Sequence, residues 1–209
     1  MELKSTAEIV TEIDFKREIV IKRILANPDV IKKQRERYAS VVSDGKKLSP
    51  EVIDAEVQFS MFKDNIFSAI MNTIVNYFSF KIDQSEKEAI AKRLEEVSPE
   101  EKPRVEMIAE QLIKKHLIFK YLQSLWNISV SDDEVKEMLE VFYRKTNQSV
   151  HDILQDKERF ENVRQTILEE RLILKIINSF AIRFQLAPPS IFGQDEEDLS
   201  ETSGKKMKN

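Results

Sequence analysis

The stretch at residues 59–80, FSMFKDNIFSAIMNTIVNYFSF, is the most apolar part of the chain and decides the fold class. Its apolar side chains cover most of a helix circumference, which indicates a helix that is buried on several sides or that faces a second apolar partner. Lys63, Asp64 and Asn72 interrupt the stretch, so it lacks the run of about 18 apolar residues that a membrane span needs. The stretch therefore predicts a long helix of a soluble helical protein.

Helix-start signals recur on both sides of this stretch, whereas strand signals are scarce. Ser49 is typical of an N-cap, and Pro50 suits the first helical position, where a missing N–H costs nothing. Ser85 with Glu88, and Ser131 with Glu134, have the spacing of capping boxes. The chain is expected to form helices at about residues 6–26, 28–42, 50–80, 85–96, 103–126, 131–145 and 157–184, with a short helix that holds 150–154.

Long helices joined by short breaks predict an all-α fold with an elongated body of antiparallel helices and arm-like helical hairpins. We expect a single helical domain at residues 1–187. Residues 1–47 would form N-terminal helices, 48–127 the first arm and body, and 128–187 the second arm and return helix. Residues 188–209 are acidic and then basic with little apolar content, and this composition predicts a disordered tail.

The residue inventory argues against catalysis. The 209 residues include no cysteine and only three glycines, which excludes thiol chemistry and leaves no glycine-rich phosphate loop. The two histidines, His116 and His151, have no motif partner at metal-ligand spacing. We therefore predict a protein that is not an enzyme, with no catalytic residue, no metal site and no cofactor.

The charge pattern leaves one nucleic-acid candidate, the basic stretch Lys32-Lys33-Gln34-Arg35-Glu36-Arg37. Its alternative interpretation is a solvated helix face on which Glu36 and Asp44 offset part of the charge. The net charge of −4 gives no global attraction to polyanions, so neither a nucleic-acid nor a membrane partner is expected. The first residues lack a basic segment followed by an apolar run, and this predicts a cytoplasmic location.

The apolar surplus is the informative signal for function. Extended antiparallel helix pairs cannot enclose the whole apolar circumference of helices such as 59–78, so the surplus is expected to line grooves. Grooves of this kind bind partner or client segments, and methionine adapts to varied shapes.

Two segments resemble the C-terminal domain of trigger factor. Residues 48–57, LSPEVIDAEV, resemble the pattern (V/L)-P-x-x-(L/V)-I-(D/E)-x-E-(I/V) that opens the first arm of that domain. Residues 128–136, ISVSDDEVK, resemble the (I/L)-x-V-(S/T)-(D/E)-E-E-V start of its second arm, and the following turn and helix match in order and length. The resemblance spans about residues 1–187 and includes no ribosome-docking or prolyl isomerase domain, so neither activity is carried over.

The resemblance implies an all-helical body that cradles non-native polypeptides without nucleotide. We therefore predict an ATP-independent, holdase-like chaperone that binds exposed apolar segments of unfolded or nascent polypeptides between its arms. The alternative is a non-enzymatic homo-oligomeric helical scaffold or interaction module, and a homodimer is left open. The client-binding side chains are predicted to be Met61, Phe62, Phe67, Met71, Met138, Phe142, Thr146, Val150 and Ile153, of which the last four match the client patch of the second arm in the family.

Overall fold

The computed structural model describes residues 4–40, 42–43, 46–97, 104–146 and 151–186. These residues form a helix-dominated fold with three small two-stranded sheets. The α-helices are α1 (Pro28–Ala39), α2 (Pro50–Ile74), α3 (Gln84–Val97), α4 (Val105–Leu125), α5 (Asp132–Thr146), α6 (His151–Gln155) and α7 (Lys157–Asn178). The strands are β1 (Thr6–Ile9), β2 (Glu18–Ile21), β3 (Val42–Ser43), β4 (Lys46–Lys47), β5 (Phe78–Lys81) and β6 (Ala181–Phe184).

The main core lies where α2, α4, α5 and α7 meet. Ile70 and Ile74 of α2, Leu122 of α4 and Ile176 of α7 are all 0% exposed, and β2 adds Ile19 to the same cluster. A second, smaller cluster of Ala91, Val105 and Ala109 holds α3 against α4. The α3–α4 hairpin is thus packed around a core of its own.

The predicted starts of α2 and α5 are confirmed. The Ser49 hydroxyl accepts a hydrogen bond from the N–H of Val52 (3.4 Å), with Pro50 at the first helical position. The Ser131 N–H donates to the Glu134 carboxylate (2.8 Å), and the Glu134 N–H donates back to the Ser131 hydroxyl (3.3 Å). The capping box predicted at Ser85 is wrong, because α3 begins at Gln84, one residue before Ser85. The Asp83 carboxylate caps the helix instead and accepts a hydrogen bond from the N–H of Glu86 (3.1 Å).

The prediction of an all-α fold is wrong at the N-terminus. The expected helix at 6–26 is replaced by β1 and β2, so α1 is the one helix described within residues 1–47. β1 pairs antiparallel with β5, and β2 pairs in parallel with β6. Isoleucine and valine fit this pleated arrangement, and long-range pairing overrides their helical spacing. The helices expected to reach residues 80 and 184 also end early: α2 ends at Ile74, before a single 3-10 turn (Val75–Tyr77) and β5, and α7 ends at Asn178, before β6.

A buried carboxylate fixes the start of the described chain. The Glu86 side chain of α3 accepts hydrogen bonds from the backbone N–H of Lys4 and of Ser5, the latter at 2.9 Å, and from the Ser5 hydroxyl (2.6 Å). The Ser5 hydroxyl in turn accepts from the N–H of Asp83 (2.8 Å). β1 is thereby held beside the chain segment that links β5 to α3.

The α1 and α2 helices form a hairpin on one side of the core. The Asn65 amide binds the backbone of Leu25, accepting from its N–H (2.8 Å) and donating to its carbonyl (2.9 Å). Farther along, Gln34 donates to the Ser60 hydroxyl at 3.1 Å. The β3–β4 strands that connect α1 to α2 contact α5. The far end of the α1–α2 hairpin therefore meets α5.

Residues 188–209, expected to form a disordered tail, lie outside the described residues.

Candidate functional site

The face of α2 that forms the core continues past the core toward the N-terminal end of the helix. Phe59 lies 11 residues before Ile70, which is close to three turns of a helix with 3.6 residues per turn, so both side chains point the same way. Ile70 is 0% exposed, whereas Phe59 is 63% exposed. Val52, 18 residues before Ile70, is 45% exposed on the same face. The apolar face of α2 thus extends beyond the part of the helix that is buried in the core.

Other apolar groups extend this surface at the base of the α1–α2 hairpin. The Phe62 ring meets the Phe184 ring edge to face, with centroids 6.2 Å apart, and Phe62 remains 39% exposed. Leu25, which Asn65 holds through its backbone, is exposed, as is Leu186 after β6. We call Val52, Phe59, Phe62, Leu25 and Phe184 the hairpin patch.

The α5 helix carries a second group of exposed apolar side chains. Val135 and Leu139 are buried, while Met138 is 53% exposed and Val141 is also exposed. We call Met138, Val141 and Leu154, an exposed leucine of α6, the α5–α6 patch. Because β3 contacts α5, the hairpin that carries the first patch reaches the helix that carries the second.

A network of charged groups holds α5 on α7. Arg171 of α7 donates to the Glu134 carboxylate and to the Ser129 carbonyl, each at 2.7 Å. Arg164 of α7 forms an ion pair with Asp132 at the start of α5. The hydrogen bond from the Ser131 backbone, together with those from Arg171 and the Ser131 hydroxyl, lowers the pKa of Glu134 to about 2.

The depressed pKa of Glu134 predicts how stability changes with pH. The carboxyl has an ordinary pKa of 4.5 and a folded-state pKa of about 2, so its stabilising effect is complete above the ordinary value and is lost as pH falls through the folded one. In urea unfolding, Glu134→Gln should be less stable than the parent chain at pH 7, and the difference should shrink steadily below pH 4. A stability difference between variant and parent that is as large below pH 4 as at pH 7 would contradict this role of the carboxylate.

A groove between α2 and α4 has a volume of about 450 Å³. Phe67 and Met71 of α2 line it opposite Leu112 of α4, with Lys114 and Lys115 along the same stretch of α4. The Lys115 ammonium lies 5.8 Å from the Phe67 ring centre. It also forms an ion pair with Glu169 of α7, so this lysine ties the three helices together.

The nine residues predicted as client-binding therefore fall in different places. Phe62 belongs to the hairpin patch and Met138 to the α5–α6 patch, while Phe67 and Met71 line the α2–α4 groove. Met61 is two positions from Phe59, about 200° around α2, so these two side chains leave the helix on opposite sides. Ile153 packs against the main core. The side chains of Phe142 and Thr146, and all of Val150, lie outside the described residues.

Sequence reasoning missed Val52, Phe59, Leu25, Phe184, Val141 and Leu154 as members of this surface. Phe59 and Val52 carried a usable signal, since their spacing from Ile70 continues one face of α2. Leu25 and Phe184 carried none, because both were assigned to helices, whereas Phe184 ends a strand and Leu25 follows one.

Within the described ranges, no group of three or more histidine, aspartate and glutamate side chains is placed to hold a metal ion. His116 borders a cavity between α4 and α7, where burial is the main cause that lowers its pKa. No helix in this part of the chain combines the length and apolar character that crossing a membrane requires.

Comparison with known proteins identifies close relatives. No family model matches the chain. The chain is 40% identical over 186 residues to the "Uncharacterized protein MG377 homolog" of Mycoplasma pneumoniae, and 38% identical over 186 residues to the "Uncharacterized protein MG377" of Mycoplasma genitalium. Each alignment covers 88% of this chain and 95% of the relative. The crystal structure of the hypothetical Mycoplasma protein MPN555 superposes with a TM-score of 0.78 at 40% identity, covering 87% of this chain and 92% of that one.

Proposed function

Since the chain belongs to the same family as the uncharacterized Mycoplasma protein MG377 and its homologue, we propose, from its own surface chemistry, that it is an ATP-independent molecular chaperone. It acts as a cytoplasmic, non-enzymatic holdase that transiently binds apolar segments of unfolded or nascent polypeptides. In this proposal the α1–α2 hairpin and the α5–α7 segment act as two arms of an elongated body. The starts of α2 and α5 lie in residues 48–57 and 128–136, the two segments that resemble the arm openings of the trigger factor C-terminal domain.

The observation that carries the proposal is a pair of exposed apolar side chains that lie next to buried helix positions. Phe59 is 63% exposed on the face of buried Ile70, and Met138 is 53% exposed one position before buried Leu139. Large exposed apolar patches on soluble proteins mark surfaces that bind other molecules. The hairpin patch and the α5–α6 patch give a client two such surfaces.

The energetics favour weak and reversible binding. A client segment that covers about 400 Å² of apolar surface gains on the order of 10 kcal/mol at about 25 cal/mol/Å². Loss of translational freedom and ordering of the client remove several kcal/mol, which leaves an affinity near the micromolar range. A chaperone without an ATP cycle needs this fast release. Lysine and glutamate side chains around both patches keep the loaded protein soluble.

Light scattering tests the proposal. A client diluted from denaturant is expected to aggregate more slowly and to a lower plateau when this protein is added in stoichiometric excess, with no requirement for ATP. Serum albumin at the same concentration controls for crowding. Scattering that is unchanged at tenfold excess would contradict the chaperone proposal.

The alternative function is a homo-oligomeric scaffold in which the exposed patches of one copy cover those of another. It predicts a stable dimer at micromolar concentration that does not bind an apolar fluorescent dye or an unfolded chain. Light scattering coupled to size-exclusion chromatography, with dye fluorescence on the same sample, separates the two functions. A monomer that binds the dye favours the chaperone.

A further inference from the structure

Positive charge is concentrated on one segment of the chain. Residues 22–47 contain eight lysine and arginine residues against three aspartate and glutamate residues, a net charge of +5, although the whole chain carries −4. The remaining residues therefore carry −9. A polyanion would be repelled by most of the molecule and attracted to this segment, so any binding would be local.

The structure places these cations on the exposed surface of α1 and of the segments on either side of it. Leu25 is bound to Asn65 near the base of the hairpin, and Arg35 forms an ion pair with Asp54 at 2.8 Å farther along. The α1 helix buries none of its 12 residues, and it is about 18 Å long at 1.5 Å per residue. The exposed basic side chains of residues 22–47 are, in chain order, Lys22, Arg23, Lys32, Lys33, Arg35, Arg37 and Lys47.

Most of these cations keep their charge unpaired. Among them, Arg35 is the one that forms an ion pair within the described ranges. Glu36, which the sequence suggested would offset the charge, forms no ion pair with any residue that the structure describes. Asp44, the other acidic residue that the sequence suggested would offset part of this charge, lies outside the described residues.

We propose that α1, with the flanking cations of residues 22–47, binds single-stranded nucleic acid through its phosphate backbone. Closely spaced phosphates match a cluster of exposed lysine and arginine side chains on a helix that buries none of its residues. An anionic membrane surface fits less well, because interfacial helices insert an apolar face. In α1 that face carries Ile31 and Tyr38, which are half-buried on the side where Gln34 binds Ser60 of α2.

The test compares two variants of the full-length chain that remove equal charge from different places. The first is Lys32→Gln, Lys33→Gln and Arg37→Gln, all of which are exposed on α1. The control is Lys92→Gln, Arg93→Gln and Lys120→Gln on α3 and α4. These three are also exposed and form no ion pair within the described part of the chain. Binding to a fluorescent single-stranded RNA is measured by anisotropy at several salt concentrations, with thermal unfolding as the check on folding.

For about four neutralised phosphates, log affinity should fall with a slope near −3 against log salt, or about 60-fold between 50 and 200 mM. The α1 variant should bind at least tenfold more weakly at 50 mM salt, while the control variant should match the parent chain. Equal loss in both variants, or parent binding that does not depend on salt, would overturn the proposal.

Two further probes exclude other anionic partners. Vesicles with phosphatidylserine, or polyglutamate at equal charge, should compete poorly with the RNA. Stronger binding to either would overturn the nucleic-acid assignment. The α1 variant should suppress client aggregation as well as the parent chain, so failure of RNA binding and failure of the chaperone proposal give different results.

Discussion

Replacing both Phe59 and Met138 by glutamine should weaken binding of an unfolded client about a hundredfold and leave the chain folded. Both side chains are more than half exposed, so neither contributes much to the core. Glutamine is a good helix former and adds no charge, and the change removes only apolar contact area. Losing these contacts costs about 3 kcal/mol of binding free energy in total, and each 1.4 kcal/mol is a tenfold change in affinity.

The matched control replaces Met107 and Leu125 of α4 by glutamine. These side chains are 54% and 51% exposed, close to the values for Met138 and Phe59, but they lie outside the hairpin patch and the α5–α6 patch. The control is expected to bind the client and to suppress its aggregation as the parent chain does. Affinity measured by titration of a fluorescent unfolded polypeptide decides the comparison. Equal losses in both double variants would mean that general apolar exposure, and not these two patches, binds the client.

Ile74→Ala is expected to have the largest effect on folding. Ile74 is 0% exposed in the main core, at the point where α2 ends. Truncating such an isoleucine removes its transfer free energy and leaves a cavity, which together cost about 2–5 kcal/mol of unfolding free energy. The urea midpoint should fall accordingly, with the slope of the transition unchanged. Leu174→Ala, at a position on α7 that is 43% exposed, should cost less than about 1 kcal/mol.

The same variant separates folding from binding. Ile74→Ala leaves both apolar patches in place, so at urea concentrations below its midpoint it should suppress client aggregation as the parent chain does. A loss of client binding in the folded Ile74→Ala protein would show that the patches depend on the packing of α2 more closely than their exposure suggests. A change of less than about 1 kcal/mol in unfolding free energy would contradict the central position of Ile74 in the core.

Local signals in the sequence were sufficient for most helices. Ser49 with Pro50, and Ser131 with Glu134, act within one helical turn, so the starts of α2 and α5 follow from neighbouring residues alone. The strands required distant partners. β2 pairs with β6, more than 150 residues away in the chain, and nothing in Glu18–Ile21 or Ala181–Phe184 identifies the other. The helix assignments at 6–26 and at the ends of α2 and α7 failed at such a pairing. The helix expected at 28–42 also ends early, at Ala39, before the local β3–β4 pair.

The candidate surface was predictable to a similar degree. The sequence indicated more apolar side chains than paired helices can bury, and Phe62 and Met138 are exposed as that argument requires. It did not indicate where α7 and α4 stop covering α2, and this boundary decides that Phe59 is exposed while Phe67 lines a groove. That distinction depends on tertiary packing and not on periodicity.

Site-specific crosslinking tests the central claim most directly, and the chain suits it because it contains no cysteine. Phe59→Cys, Met138→Cys and the reference Met107→Cys each carry a single thiol, to which a short photo-crosslinker is attached. With reduced, carboxymethylated lactalbumin as a permanently unfolded client, positions 59 and 138 should form abundant crosslinks and position 107 few. Crosslinks of equal yield at all three positions, or none at 59 and 138, would contradict the assignment of the client to these two patches.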